Sequence, residues 1–449
     1  MEFDFQVAQA ELRQRLQEEL IRRGWRQKEI ATVTKLSRSR VSKIFKNTQT
    51  IMLPQLHEIN YAFELDKHSF YDFFIGECFN EAGRLKPRKT SNFILHCIYA
   101  EQYEVVKQIV QLLNEDNNRN KMIETTFKIA EYLFESDKRN YSLPFYDIII
   151  RNGFSRNETL AITYFRRFLI LRDLDTAGAG SEALHQLVEY LPLLPDELKF
   201  DAYYRILAFY NVVENWPKLL AFAKELKDMA IAEGHYKYVA EGLLYESFAH
   251  KGMKNFEKSL QATKEYATHG KHYAWLSKCN EFYISIEMGQ TEHIDELMSM
   301  LREDTDQLLA VLPVAMEAYL ANGLLIDAQQ YLEKYKLNID DLLTRKAPFF
   351  LKHKLQFVQA MTQYYLETGQ NERCLEYNAL ALELALKLHN SQRVGAAMLM
   401  FQQQENIITL EQKSEFMNII SNEVKSNEKS MYGYADDSFL IRFYRGVFY

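Results

Sequence analysis

Four segments in the C-terminal half of the chain repeat one another loosely, and this repetition limits the possible folds more than any other feature. KGMKNFEKSLQATKEYA, MGQTEHIDELMSML, ANGLLIDAQQYLEKY and TGQNERCLEYNALALEL align with Ser259, Ile294, Ala328 and Cys374 in register, at gaps of 35, 34 and 46 residues. Ala183 and Leu219 extend the series upstream, 36 and 40 residues ahead of their successors. Each unit reads as a long helix ending near Gly or Asn, a short turn, and a helix opening on a small or medium apolar residue. A helical pair of this size cannot bury its apolar face alone, so neighbouring pairs must stack into a solenoid with a continuous core. The wider last gap predicts an insertion around 342–350, where Pro348 restarts a helix.

Composition agrees with this. With 8 Pro, 16 Gly and 47% hydrophobic residues in 449, the chain reads as densely helical and too long for one core. No stretch approaches twenty uncharged apolar residues, and the opening MEFDFQ lacks a basic-then-apolar leader, so a cytoplasmic protein without a membrane role is expected. Cys78, Cys97, Cys279 and Cys374 are far apart in sequence, as core cysteines in a reducing compartment would be, rather than as a disulfide framework or a zinc site. No phosphate-cradling glycine loop, nucleophile elbow or His-Glu-x-x-His pattern occurs, and His269 and His272 have no further ligands nearby in sequence. The chain is therefore read as a non-enzyme without cofactor or metal.

Near the N-terminus, Gln27–Lys46 (QKEIATVTKLSRSRVSKIFK) reads as two short helices around a tight turn. Ile30, Ala31, Leu36, Val41 and Ile44 form a shared apolar set, and Ser37 stands where it can cap the second helix. From Arg22 to Lys46 there are nine basic residues and one acid, Glu29. Residues 1–90 carry net +4 within a chain of net −7, so the rest carries −11. A basic patch on an acidic protein is the footprint of a phosphate-binding surface, although a charge run is ordinarily a solvated face.

These residues resemble the Xre-type helix-turn-helix, whose pattern runs Gln-x-x-x-Ala, turn, Ser-Arg-Ser-x-Val/Ile-Ser. Gln27, Ala31, Ser37, Arg38, Ser39, Val41 and Ser42 match it position by position. The resemblance implies a double-stranded DNA operator as partner. Arg38, Ser39 and Lys43 would read bases, Gln27, Arg40 and Lys46 would lie nearer the backbone, and Ser42 would share the reading helix. Lys35 and Asn47 depart from the pattern, since glycines are common at those positions; Asn tolerates a left-handed backbone better than Lys does.

The whole reads as all-α: an N-terminal helix-turn-helix bundle followed by a tetratricopeptide-like helical solenoid. Residues 1–81 are expected to form the DNA-binding domain and 82–92 (AGRLKPRKTSN) a linker. Residues 93–436 are expected to form the repeat domain, and the aromatic segment 437–449 its cap. Extrapolated register puts Tyr204, Asn211, Phe248, Asn280, Tyr283, Gln359 and Gln363 on or near the inner face, where Asn and Gln can pair with a peptide backbone. For each aromatic, inter-repeat packing is the plainer alternative; for Asn211 and Asn280 it is a core hydrogen bond. Arg172 or Lys251 could meet a peptide carboxylate, with solvent exposure the ordinary alternative.

A helix-turn-helix of this type ahead of such repeats resembles the RRNPP family of peptide-responsive regulators, in length nearest its NprR- and AimR-like members. The resemblance implies a cytoplasmic, usually homodimeric quorum-sensing regulator, switched by a short signalling peptide in the repeat groove. The alternative is an interaction scaffold or phosphorelay regulator that sequesters a response regulator.

Overall fold

Connections between the helices reuse one local device. In the computed structural model, which describes residues 4–116, 118–404 and 408–430, several helices end on a left-handed residue followed directly by the residue that starts the next helix. Glycine fills this position at Gly289, Gly323 and Gly369, whereas Glu214, Lys254 and His389 adopt it without being glycine. Asn215, Asn255 and Asn390 follow the last three, and each side chain accepts a backbone N–H of the helix it opens. One left-handed residue reverses the chain and one amide caps the restart, so antiparallel helices pack closely. No strand forms among the described residues, apart from a single bridge between Phe79 and Leu85. The fold is all-α, and no described helix is long and apolar enough to cross a membrane.

The described chain forms two units, 4–170 and 171–430. The first begins with α1 (Phe5–Arg22), α2 (Gln27–Val33), α3 (Arg38–Phe45), α4 (Leu53–Ala62) and the short α5 (Tyr71–Phe74). Leu12, Leu16 and Leu20, four residues apart on α1, are buried together with Ile30, Val41, Ile44, Leu56 and Ile59. Each such side chain contributes about 1.5–3 kcal/mol. Ala31 and Leu36 are only partly buried, so the α2–α3 pair rests mainly on Ile30, Val41 and Ile44. At the turn, Asn47 takes the left-handed conformation, with φ 53°, and Lys35 is not among the left-handed residues. The backbone N–H of Lys35 instead donates to Glu58 on α4 at 3.0 Å.

α6 (Pro87–Tyr99), α7 (Tyr103–Asn114), α8 (Arg119–Phe134) and α9 (Leu143–Asn152) complete the first unit, and the division falls inside α10 (Glu158–Leu174). The segment expected to link two domains, 82–92, therefore lies within the first unit and is helical from Pro87. The cause is packing: Phe93 meets Tyr71 and Phe74 at ring-centroid distances of 5.1 and 4.8 Å. Lys89 also donates to the carbonyl of Ile51 at 2.6 Å. A buried ion cluster ties the same region together. Glu77 is fully buried, pairs with Arg13, and accepts the Ile51 N–H at 2.6 Å.

The second unit runs through α11 (Ala179–Val188), α12 (Asp196–Val212), α13 (Trp216–Glu233), α14 (Tyr236–Gly252), α15 (Phe256–Tyr266) and α16 (Lys271–Glu287). It continues with α17 (Ile294–Met300), α18 (Thr305–Ala321), α19 (Leu325–Lys334), α20 (Lys336–Thr344) and α21 (Pro348–Glu367). Last come α22 (Asn371–Lys387), α23 (Ser391–Gln403) and α24 (Leu410–Ser430). The register positions Leu219, Ser259, Ile294, Ala328 and Cys374 are each 0% exposed, and Ala183 is 1% exposed. Ala183, Ser259, Ala328 and Cys374 are small enough to let consecutive helices approach, and Leu219 and Ile294 fill the same buried position. The wide gap contains α20, an extra helix, and α21 starts at Pro348. All four cysteines are buried and unpaired. The segment 437–449, expected as a cap, lies outside the described residues.

Candidate ligand cavity and nucleic-acid face

Within the second unit, α12, α14, α16, α18 and α21 turn one face inward, and Trp216 of α13, Leu297 of α17 and Arg393 of α23 reach in beside them. Spacing makes this possible. Leu276, Asn280, Tyr283 and Glu287 recur along a single stripe of α16, as do Lys352, Gln356, Gln359 and Gln363 along α21. The array also closes on itself, because α12 packs against α21 and Val212 shares a core cluster with Leu351, Leu355 and Val358. The result is a cavity of about 620 Å³, within the usual range for ligand sites.

Tyr204, Asn211, Phe248, Asn280 and Tyr283 all line this cavity. Gln359 and Gln363 line a neighbouring one of about 360 Å³, and Glu317 belongs to both. Several side chains are already engaged. Asn280 donates to the Tyr266 hydroxyl at 2.7 Å, and Asn211 accepts from Lys352 at 3.1 Å. Gln363 reaches along its own helix to Glu367 at 2.6 Å.

Charged residues of the cavity, most of them not singled out by sequence, set its electrostatics. Arg393 on α23 holds both carboxylate oxygens of Glu214, each at 3.1 Å, and donates to Gln359 at 2.8 Å. Asn390 adds a bond of 2.7 Å to Glu214. Burial works against a charged Glu214, but the hydrogen bonds and charge of Arg393 outweigh it and hold this carboxyl below its ordinary range. This clasp joins residues 179 apart in sequence. Gln356 donates to Glu317 at 2.8 Å, and burial raises the Glu317 carboxyl despite that bond.

Lys251 points inward, against the expectation of solvent exposure. Its ammonium lies 3.6 Å from Glu287 and 3.6 Å from the Tyr283 ring centroid. Lys254 shares Glu287 at 2.8 Å. Lys352 rests over Trp216 at 4.8 Å, and Trp216 fits only because residue 252 is glycine, where a Cβ would come within 2.3 Å of the indole. Burial, with the charges of Lys251 and Arg393 acting against the pull of Glu214, brings Lys352 down to about 8. Burial likewise keeps His353 well below its usual value, so its imidazole is neutral. Arg172 pairs with Asp173 at 3.2 Å and does not line the cavity.

In the first unit, Ser37 Oγ accepts the Arg40 N–H at 3.2 Å and starts α3. Arg38, Ser39, Lys43 and Lys46 are exposed, whereas Gln27 and Ser42 are partly buried. Arg40 stands apart from these. Its guanidinium donates to Gln55 Oε1 at 2.7 Å and to the Thr50 carbonyl at 3.1 Å, which fastens α3 to α4.

No family model matches the chain, and no curated protein matches it. Among solved structures, a Rap protein complexed with competence and sporulation factor is 12% identical, with a TM-score of 0.39. That match covers 74% of this chain and 98% of the other. At such a level the likeness says nothing about what this chain binds.

Proposed function

We propose that the chain is a cytoplasmic, homodimeric DNA-binding regulator whose second unit binds a short signalling peptide. The observation that carries this reading is the cavity. Aromatic faces from Tyr204, Phe248, Trp216 and Tyr283 alternate there with the amides of Asn211, Asn280, Gln307 and Gln356. Amide side chains both donate and accept, which suits a peptide backbone leaving water. In the first unit, residues 1–81 supply the DNA reader, with α3 in the major groove. Arg38, Ser39 and Lys43 face base edges, and Lys46 and Gln27 hold phosphate. Arg40, committed to Thr50 and Gln55, positions the reading helix.

In a dimer, two such helices bind tightly only at a spacing of about one DNA turn. A peptide that favours one arrangement of the helical array changes that spacing, and a differential affinity of a few kcal/mol is enough. The test is a genomic DNA pull-down with full-length protein, with and without an extract of secreted peptides. Site-specific fragments whose recovery changes with the extract support both halves of the reading. Specific DNA indifferent to the extract refutes the peptide switch. If no DNA is selected in either condition, DNA reading fails, and retention of a response regulator becomes the next measurement.

A further inference from the structure

One cation in the cavity is held in no ion pair, although the charges of Glu214 and Glu287 draw on it from beyond contact distance. Lys251, Lys254, Lys352 and Arg393 face it, against the carboxylates of Glu214, Glu287 and Glu317. Both oxygens of Glu214 are taken by Arg393 and Asn390, and Glu287 is divided between Lys251 and Lys254. Glu317 is engaged by Gln356 and is pushed by burial towards its neutral form. His353 is neutral. This leaves Lys352 without an ion pair among the described residues. Its contacts are the neutral Asn211 oxygen at 3.1 Å and the Trp216 ring at 4.8 Å. An amide oxygen and an aromatic face orient an ammonium without cancelling its charge. A partly buried charge left in that state is costly, and an anion brought to it is correspondingly well held.

We propose that the ligand of this cavity presents a carboxylate to Lys352, at the junction of α12, α13 and α21. Four cations face three carboxylates, and the one ammonium without an ion pair calls for one carboxylate. The carboxylate also lies against the residues that join the two ends of the helical array, so it acts as an electrostatic tie between them. The inference depends on the peptide reading only for the molecule that carries the carboxylate.

The test uses full-length protein, its Lys352→Met variant, and pools of random synthetic hexapeptides made as free acids or as C-terminal amides, each with and without Asp and Glu. Retained peptides are quantified by mass spectrometry. In parallel, N-acetylglycine, N-acetylglycinamide and inorganic phosphate are titrated onto protein carrying ¹³C-labelled lysine, with the Lys352 resonance assigned by its loss in the variant. The expected result is retention of carboxylate-bearing pools roughly tenfold or more above neutral pools, with that preference abolished in Lys352→Met. The free-acid and acidic-residue arms tell a terminal carboxylate from a side-chain one. Equal retention of neutral and anionic pools overturns the proposal and leaves the peptide reading standing. If no pool is retained, the peptide reading fails and the small probes decide. A Lys352 shift with N-acetylglycine, and not with its amide, upholds the carboxylate site; no shift, or a stronger response to phosphate, overturns it.

Discussion

The Glu214–Arg393 clasp makes a quantitative prediction. Replacing Arg393 with Met removes both bonds to the Glu214 carboxylate and leaves the Asn390 amide and the more distant charge of Lys352 to stabilise it. Breaking a buried ion pair on one side costs about 3–5 kcal/mol. Here the side chains retain 26% and 14% exposure, so solvent recovers part of the loss and about 2–3 kcal/mol is expected. Glu214→Gln should cost about 2 kcal/mol by stranding Arg393, whereas the double variant, with no charge left unpaired, should cost only about 1 kcal/mol. The coupling energy is therefore about 3–4 kcal/mol. The assay is urea unfolding followed through Trp216, which lines the same cavity, with Trp25 and Trp275 replaced by Phe so that the signal is local. Additive single-variant losses would refute the argument, because they would show two independent side chains instead of one clasp. The pH dependence supplies a second check. The folded-state pKa of Glu214 lies below its ordinary 4.5, so the stabilisation is present above that value and fades as pH falls below it.

The remaining predictions concern Lys352 and the first unit. Lys352→Met should raise stability at pH 7 by about 1–2 kcal/mol, because it removes a partly buried charge that has no ion pair. Since Lys352 titrates near 8 against an ordinary 10.5, wild type gains stability between those values and the difference should shrink there, as thermal unfolding across pH would show. Arg38→Ala should weaken DNA binding by roughly 1–3 kcal/mol and relax preference at one base pair; equal loss on all sequences would place Arg38 on phosphate. Lys46→Ala should lower the salt dependence of DNA binding by about one phosphate contact. Arg40→Ala should leave that dependence unchanged and destabilise the first unit by about 1–2 kcal/mol. Glu77→Gln should speed hydrogen exchange at the Ile51 amide, which donates to Glu77; unaltered exchange would show that the buried cluster does not hold the segment after α3.

How much of this was legible in the sequence depended on the range of the interaction. Helix existence and register were legible because they are local. The small residues at Ser259, Ala328 and Cys374 recur where helices cross, and all are fully buried. The inward stripes were also legible, since 3.6-residue periodicity places Asn280 and Tyr283 on one face whatever the rest of the fold does. The domain boundary was not. Gly83 and Pro87 mark a turn and a helix start, but turn chemistry cannot say which core the next helix joins. That was decided by Phe93 against Tyr71 and Phe74.

The electrostatics of the cavity were the least legible, for a physical reason. Lys352 meets Asn211 across 141 residues, and Arg393 meets Glu214 across 179. No periodicity spans such distances, and each residue alone reads as a solvated charge. Arg40 shows the same limit at short range. A basic residue in a reading helix reads as a phosphate contact until Gln55, fifteen residues on, is seen to occupy its guanidinium. Charge in a sequence is a count, whereas in a fold it is a balance among neighbours. Along α21, Gln356 and Gln359 stay neutral and satisfied beside Glu317 and Arg393. Lys352, on the same stripe, stands without its counter-ion, and it is there that the cavity's specificity should be measured.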